Sequence, residues 1–306
     1  MLLSNKEKVC RVDLMSRKRK GFTLIELLVV ISIIALLMSI LMPALRNVRD
    51  QAKSAICMQR LQQWGLVFSM YTDDNDGFFH GELGVGENSQ GWVPALRPYY
   101  SGHKAGANPR ESRAERDIRL CPSAKIKFRT EGYITGSDVA WGIYSKELAE
   151  GSGWALEGDC GSYGLNAWIC NEESSVTDWW EDVGNLWRTP NVKGASTIPL
   201  FMDCGWVDGW PQELDEPPEW EGQIGGYDYQ AMRQFCIDRH RVGTVNSLFL
   251  DWSVRNIGLK ELWKLKWHRN FDINGPWTIA GFGGNAAACA SAWDEQARWM
   301  SRFPEY

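Results

Sequence analysis

The sequence predicts an α+β protein, with one long N-terminal helix packed on a Trp-rich antiparallel β head. Three observations carry this. The run from Phe22 to Leu45 holds a single charged residue, Glu26. Apolar residues then recur at helical spacing as far as Tyr71. Beyond that point the chain breaks into short β-branched and aromatic runs between clusters of turn formers.

Residues 1–21 read as a basic leader ending Arg17-Lys18-Arg19-Lys20-Gly21. A secretory signal is cut after its apolar region. Here the plausible processing point, Gly21, lies before that region, so Phe22 becomes the first residue of a mature chain that keeps its apolar segment. As a helix, 22–45 reaches about 36 Å at ~1.5 Å per residue, enough to cross a hydrocarbon core of about 30 Å. Four cations just before it predict a cytoplasmic N-terminus. A carboxylate within a span normally has a partner, and the segment offers none. Glu26 is therefore expected to pair with the new α-amino group of Phe22 on a neighbouring subunit. The alternative is a plain signal anchor with a tolerated polar residue.

Pro43 lacks an N–H and crowds the preceding turn, so a kink or local melting is expected there. Residues 46–76 continue the helix in amphipathic form. Leu45, Val48, Ala52 and Ile56 share one stripe; Cys57, Leu61, Trp64, Phe68 and Tyr71 share a shifted one. The helix should stop at Asp73-Asp74-Asn75-Asp76-Gly77, where turn formers cluster. These acids are weak calcium candidates: an EF-hand loop wants an oxygen ligand at its fifth position, and counted from Asp73 that position is Gly77.

Residues 77–306 form the extracytoplasmic head. Gly81–Arg116 reads as surface loop. Strands are predicted at Ile118–Cys121, Tyr163–Ile169, Ile198–Asp203 and Val245–Leu250. Trp210–Gly226 reads as an exposed loop. Leu259, Leu262, Trp263 and Trp267 mark a short amphipathic helix, and Gly281–Ala292 a flexible or closely packed excursion.

Without its leader the chain carries 26 basic and 36 acidic residues, which excludes a nucleic-acid surface. Its 17 tryptophans read as core residues of a loop-rich domain, with stacking on glycans as the alternative. Seven of eight cysteines follow the leader, in a compartment that permits disulfides. Cys160 and Cys170 flank a short Gly-containing segment and are the first choice for a bridge. There is no CxxC pair, so no metal site of that type is expected. No nucleophile-elbow, zincin, P-loop or dinucleotide signature is present, and no enzyme activity or cofactor is predicted.

Gly21, Phe22, Thr23, Leu24, Glu26 and Pro43 together resemble the leader and N-terminal helix shared by type IV pilins and type II secretion pseudopilins. The resemblance covers about the first fifth of the chain. It implies a prepilin peptidase that cuts after Gly21 and N-methylates Phe22, partner pilin-like subunits, and a secretion-system inner-membrane platform. The run from Leu61 to Gly77, with Leu120-Cys121-Pro122-Ser123 and Ser162-Tyr163-Gly164-Leu165-Asn166, is similar to a planctomycete-type pilin-like family. Members of that family end with His, nine residues, then Asp-Gly. Here His240 is followed by ten residues and Asp251-Trp252. Trp252 suits a tight turn poorly, so a longer turn or a bulge is expected. His240 and Asp251 then read as an exposed histidine and a turn aspartate rather than a ligand pair.

The function expected is a structural subunit of a pseudopilus or type IV pilus-like filament. It would sit in the inner membrane by a single pass, with the head periplasmic or extracellular, before extraction into a fibre. The alternative is an anchored surface-binding module for glycans, with an exported hydrolase third.

Overall fold

The computed structural model describes residues 23–81, 91–100, 117–126, 136–142, 158–172, 183–224, 230–241 and 243–306. Gly21, Phe22 and the rest of the leader lie outside the described residues. The chain divides into two compact units, Met1–Val48 and Arg49–Tyr306. Helix α1, Leu24–Asp74, is a single unbroken element.

In the first unit α1 is long and apolar enough to cross a membrane. No described side chain up to Arg49 is buried. The local melting expected at Pro43 does not occur; the proline sits inside continuous helix. Ser32 and Ser39 donate to Leu28 O and Leu36 O at 2.8 and 2.7 Å, returning their hydroxyls to the helix backbone. Thr23 and Glu26 close a capping box. The Glu26 carboxylate accepts from Thr23 N and Oγ1 at 2.8 and 2.9 Å, and Glu26 N donates to Thr23 Oγ1 at 3.2 Å. The expectation that Glu26 has no partner within its own segment is thereby corrected.

In the second unit α1 buries Cys57, Leu61, Trp64 and Phe68, one face at helical spacing. That face meets a five-stranded sheet of order β6-β4-β5-β7-β8. The strands are β4 (Tyr163–Asn166), β5 (Pro199–Asp203), β6 (Asp208–Gly209), β7 (Thr244–Phe249) and β8 (Val254–Gly258). All pairings are antiparallel except β4 with β6. Trp64 and Phe68 stack on Phe201 of β5 at centroid distances of 5.0 and 5.5 Å. Gly65 allows the close approach: a Cβ there would lie 3.1 Å from Leu248 Cδ1 on β7. A smaller sheet joins β1 (Lys125–Ile126) parallel to β2 (Val139–Gly142), and β2 antiparallel to β3 (Cys160–Gly161).

α1 stops where expected. Asp76 and Gly77 take φ of 56° and 82°, and Gly77 N donates to Thr72 O at 2.8 Å. The Asp74 carboxylate accepts from Tyr99 Oη at 2.9 Å.

Three expectations fail for identifiable reasons. The predicted loop over 81–116 contains helix α2, Trp92–Tyr100, which buries Trp92, Val93, Ala95 and Leu96. Pro94 lies in its first turn, where a missing N–H costs no helical bond. Ile118–Cys121 is a strap of turns rather than a strand. Its carbonyls are claimed by side chains of α1: Trp64 Nε1 donates to Ile118 O at 2.9 Å, and Arg60 donates to Leu120 O. The Gly- and Ala-rich tail forms helix Ala286–Gln296, capped by the Asn285 side chain on Ala288 N. The described part of the loop from Trp210 is irregular, but it buries Pro211, Asp215 and Ile224. Lys260–Lys264 is a 3-10 helix, and Trp267 lies past its end.

The tryptophans have a structural role here. The indoles of Trp92, Trp141, Trp168, Trp187, Trp263 and Trp267 all donate to backbone carbonyls at 2.7–3.0 Å. Each fills core volume and also gives its buried indole N–H a backbone carbonyl as partner. Among the described residues, Trp220 is the exposed tryptophan.

Candidate functional site

Four chemistry-bearing side chains converge inside the head. Cys57 comes from α1, Cys121 from the strap, Asp203 from the end of β5, and His240 from the turn after the short helix Met232–Phe235. All four are buried, and one ligand atom from each lies within 4.8 Å of the others. Cys57 Sγ is 3.5 Å from the Asp203 carboxylate. His240 Nε2 is 3.1 Å from Asp203 Oδ2 and 3.6 Å from Cys121 Sγ.

Local structure fixes each donor. The Cys57 position follows from the buried face of α1. Cys121 is held by its N–H on Ser162 Oγ, and the strap by Ser162 N on Arg119 O at 3.0 Å. The His240 turn is tied by Asp238, which accepts from Gly243 N at 2.8 Å, while Arg241 takes φ of 60°. Asp203 is the last residue of a strand whose five residues are all buried.

A second layer surrounds these groups. Tyr163 Oη donates to Cys57 Sγ at 3.3 Å, and Ser123 N donates to Cys121 Sγ at 3.5 Å. His240 Nδ1 lies 3.5 Å from Ser123 Oγ. Asp203 accepts from Asn246 N at 3.2 Å and from the Arg239 guanidinium at 3.2 Å. Arg239 is fully buried and uses all of its nitrogens. It also donates to Ser137 O, Val139 O, Ser162 O and Cys204 O. One guanidinium thus joins β2, the β3–β4 link, the end of β5 and the His240 turn.

Electrostatics follow from this packing. Burial opposes the Asp203 carboxylate, but His240 and Arg239 outweigh it and hold it at about 2. Burial likewise opposes the His240 imidazolium, and Asp203 outweighs it, raising the group to about 10. Burial pushes the Cys57 thiol well up. Cys121 faces the same burial, yet its contacts with Cys57 and His240 bring it down to about 6.

His240 is therefore not the exposed residue expected from the sequence. Asp251 lies elsewhere: it is exposed, and its side chain accepts from Ser253 N at 3.0 Å and from Ser253 Oγ within the β7–β8 turn. That turn is longer than two residues. Trp252 N donates to Phe249 O, Phe249 N donates to Ser253 O, and Trp252 takes the left-handed position with φ 66°. The signal that sequence reading missed was Cys57 and Cys121, each noted in a motif but never placed beside His240. The bridge expected between Cys160 and Cys170 is not formed; both residues are buried. Cys160 sits in a small cluster with Leu120 and Ala140, and Cys170 in the main core.

One long apolar helix runs into an α+β head of antiparallel-rich sheets and clustered tryptophans. Residues 16–42 match the family described as the prokaryotic N-terminal methylation motif. Over 62 residues the chain is 42% identical to the type IV wide pilus major component PilA4 of Thermus thermophilus, a match covering 20% of this chain and 47% of that protein. The chain therefore spans about half the length of the curated relative it matches. No solved structure matches the chain.

Proposed function

We propose that the chain is a structural subunit of a type IV pilus-like or pseudopilus filament, cut after Gly21 and methylated at Phe22 by a prepilin peptidase. The observation that carries this reading is the N-terminal part of α1, an apolar helix with no buried side chain from Thr23 to Arg49, overlapped by the methylation motif at 16–42. Such a surface needs lipid before assembly and neighbouring helices after it. The head is then periplasmic or extracellular, and the partners are other pilin-like subunits and an inner-membrane platform.

Glu26 gives the subunit its register. In the isolated chain its carboxylate is satisfied by Thr23. On assembly it would take the Phe22 ammonium of a neighbour, one residue before that cap, in place of or beside Thr23. The surrounding Leu, Ile and Val residues supply contact without specifying position. The test is mass spectrometry of the mature N-terminus together with electron microscopy of filaments. Methyl-Phe22 and fibres lost on Glu26→Leu are expected. Intact chains starting at Met1 in a peptidase-competent host, or normal fibres from Glu26→Leu, would overturn the reading.

A further inference from the structure

We infer that Cys57, Cys121, Asp203 and His240 bind one zinc ion that fastens the stem helix to the head. The separations fit. Ligands about 2.0–2.3 Å from a tetrahedral centre lie roughly 3.3–3.8 Å from one another. The described edges are 3.5 Å for Cys57 to Asp203, 3.6 Å for Cys121 to His240 and 3.1 Å for His240 to Asp203. A small contraction or expansion of side chains completes the shell.

The donor chemistry selects the metal. Two soft thiolates and a borderline imidazole beside one carboxylate suit zinc and not calcium or magnesium, which take all-oxygen shells. As the two Zn–S bonds and the Zn–N bond form, the cysteine thiols and the His240 imidazolium give up their protons to solvent, leaving thiolates and a neutral imidazole. The ion with two thiolates and one carboxylate then carries one net negative charge. Arg239, buried against Asp203, supplies the compensating positive charge. A charge-neutral buried assembly avoids the desolvation cost of an unpaired ion.

The outer layer argues the same way. Each ligand has its own orienting partner: Tyr163 on Cys57, Ser123 N on Cys121, Ser123 Oγ on His240, Arg239 and Asn246 on Asp203. Second-layer bonds of this kind orient metal ligands and tune their basicity. Four protein ligands with no exposed member make a closed site, so the ion is structural and not catalytic. It joins α1, the strap, β5 and the His240 turn.

The experiment uses the full mature chain, reduced, purified in detergent and reconstituted with zinc alone or cobalt alone. Metal analysis should give about one zinc per chain. Cobalt should give tetrahedral ligand-field bands and thiolate-to-cobalt charge transfer. His240→Cys should keep the metal and add charge-transfer intensity, while Cys57→Ser and Asp203→Asn should weaken zinc binding at least tenfold, on the order of a lost ligand. If Cys57→Ser fails to fold, the wild-type cobalt spectrum and His240→Cys still decide. Less than a tenth of an equivalent of zinc, an octahedral cobalt spectrum, an unchanged spectrum in His240→Cys, or a Cys57–Cys121 disulfide in peptide maps of chain isolated without reductant would each overturn the inference.

Discussion

Arg239→Met removes the one cation buried among Asp203, Ser137, Val139, Ser162 and Cys204. The guanidinium makes hydrogen bonds to four carbonyls and one carboxylate, and its side chain is fully buried. Methionine fills similar apolar volume, so little of the loss is cavity. What remains, among the described residues, is a buried carboxylate with His240 as its charged partner, plus four carbonyls without that donor. Breaking a buried pair by removing one partner costs about 3–5 kcal/mol, against a typical domain stability of about 5–15 kcal/mol. The assay is urea unfolding of the mature chain in detergent, followed by the fluorescence of its buried tryptophans. The midpoint should fall steeply with little change in slope. Arg239→Lys keeps the charge but cannot span the same acceptors, and should fall between the two. A loss below about 1 kcal/mol in Arg239→Met would show that water or rearranged donors replace the guanidinium, and would refute the account of this residue as the head's central tie.

Three further outcomes are expected. His80 is buried with no hydrogen bond to Nδ1, and burial lowers it to about 4. Its folded value lies below the unfolded one, so stability is full above about pH 6.5 and is lost as pH falls toward 4, by about 2 kcal/mol at pH 5. Thermal midpoints at pH 7 and pH 5 should converge in His80→Leu relative to the parent, and equal shifts in both would refute this. Asp251→Ala should cost no more than about 1 kcal/mol in urea unfolding, as an exposed turn cap, and should leave the reactivity of Cys57 and Cys121 unchanged. Non-reducing peptide mapping of denatured, alkylated chain should recover no peptide pair crosslinked through Cys160 and Cys170, and such a pair would contradict the structure.

How much was legible depended on the range of the interaction that set each feature. α1 was readable because its apolar run, its cap and its stop at Asp74 to Gly77 are all local. β5 and β7 were readable because each carries a short buried apolar run, Leu200 to Met202 and Leu248 to Phe249. Helix α2 was masked by its prolines: Pro94 falls in the first turn, where a missing N–H costs no helical bond, while Pro98 stays inside the helix. Ile118–Cys121 has strand composition, yet side chains of α1 take carbonyls that a ladder would have used. The C-terminal helix had a usable signal in Asn285, hidden by the flanking glycines.

By itself the sequence determined the apolar N-terminal segment and its methylation motif, because that signal lies in contiguous residues whose order alone sets it. Only the tertiary structure decided the buried cluster. Cys57, Cys121, Asp203 and His240 come from four segments distant along the chain, and no spacing rule links them. Their meeting is set by where the buried face of α1 crosses the strap and the end of β5. The partner of His240 is likewise Asp203 and not Asp251, because β7 carries the chain away from His240 before the turn that holds Asp251.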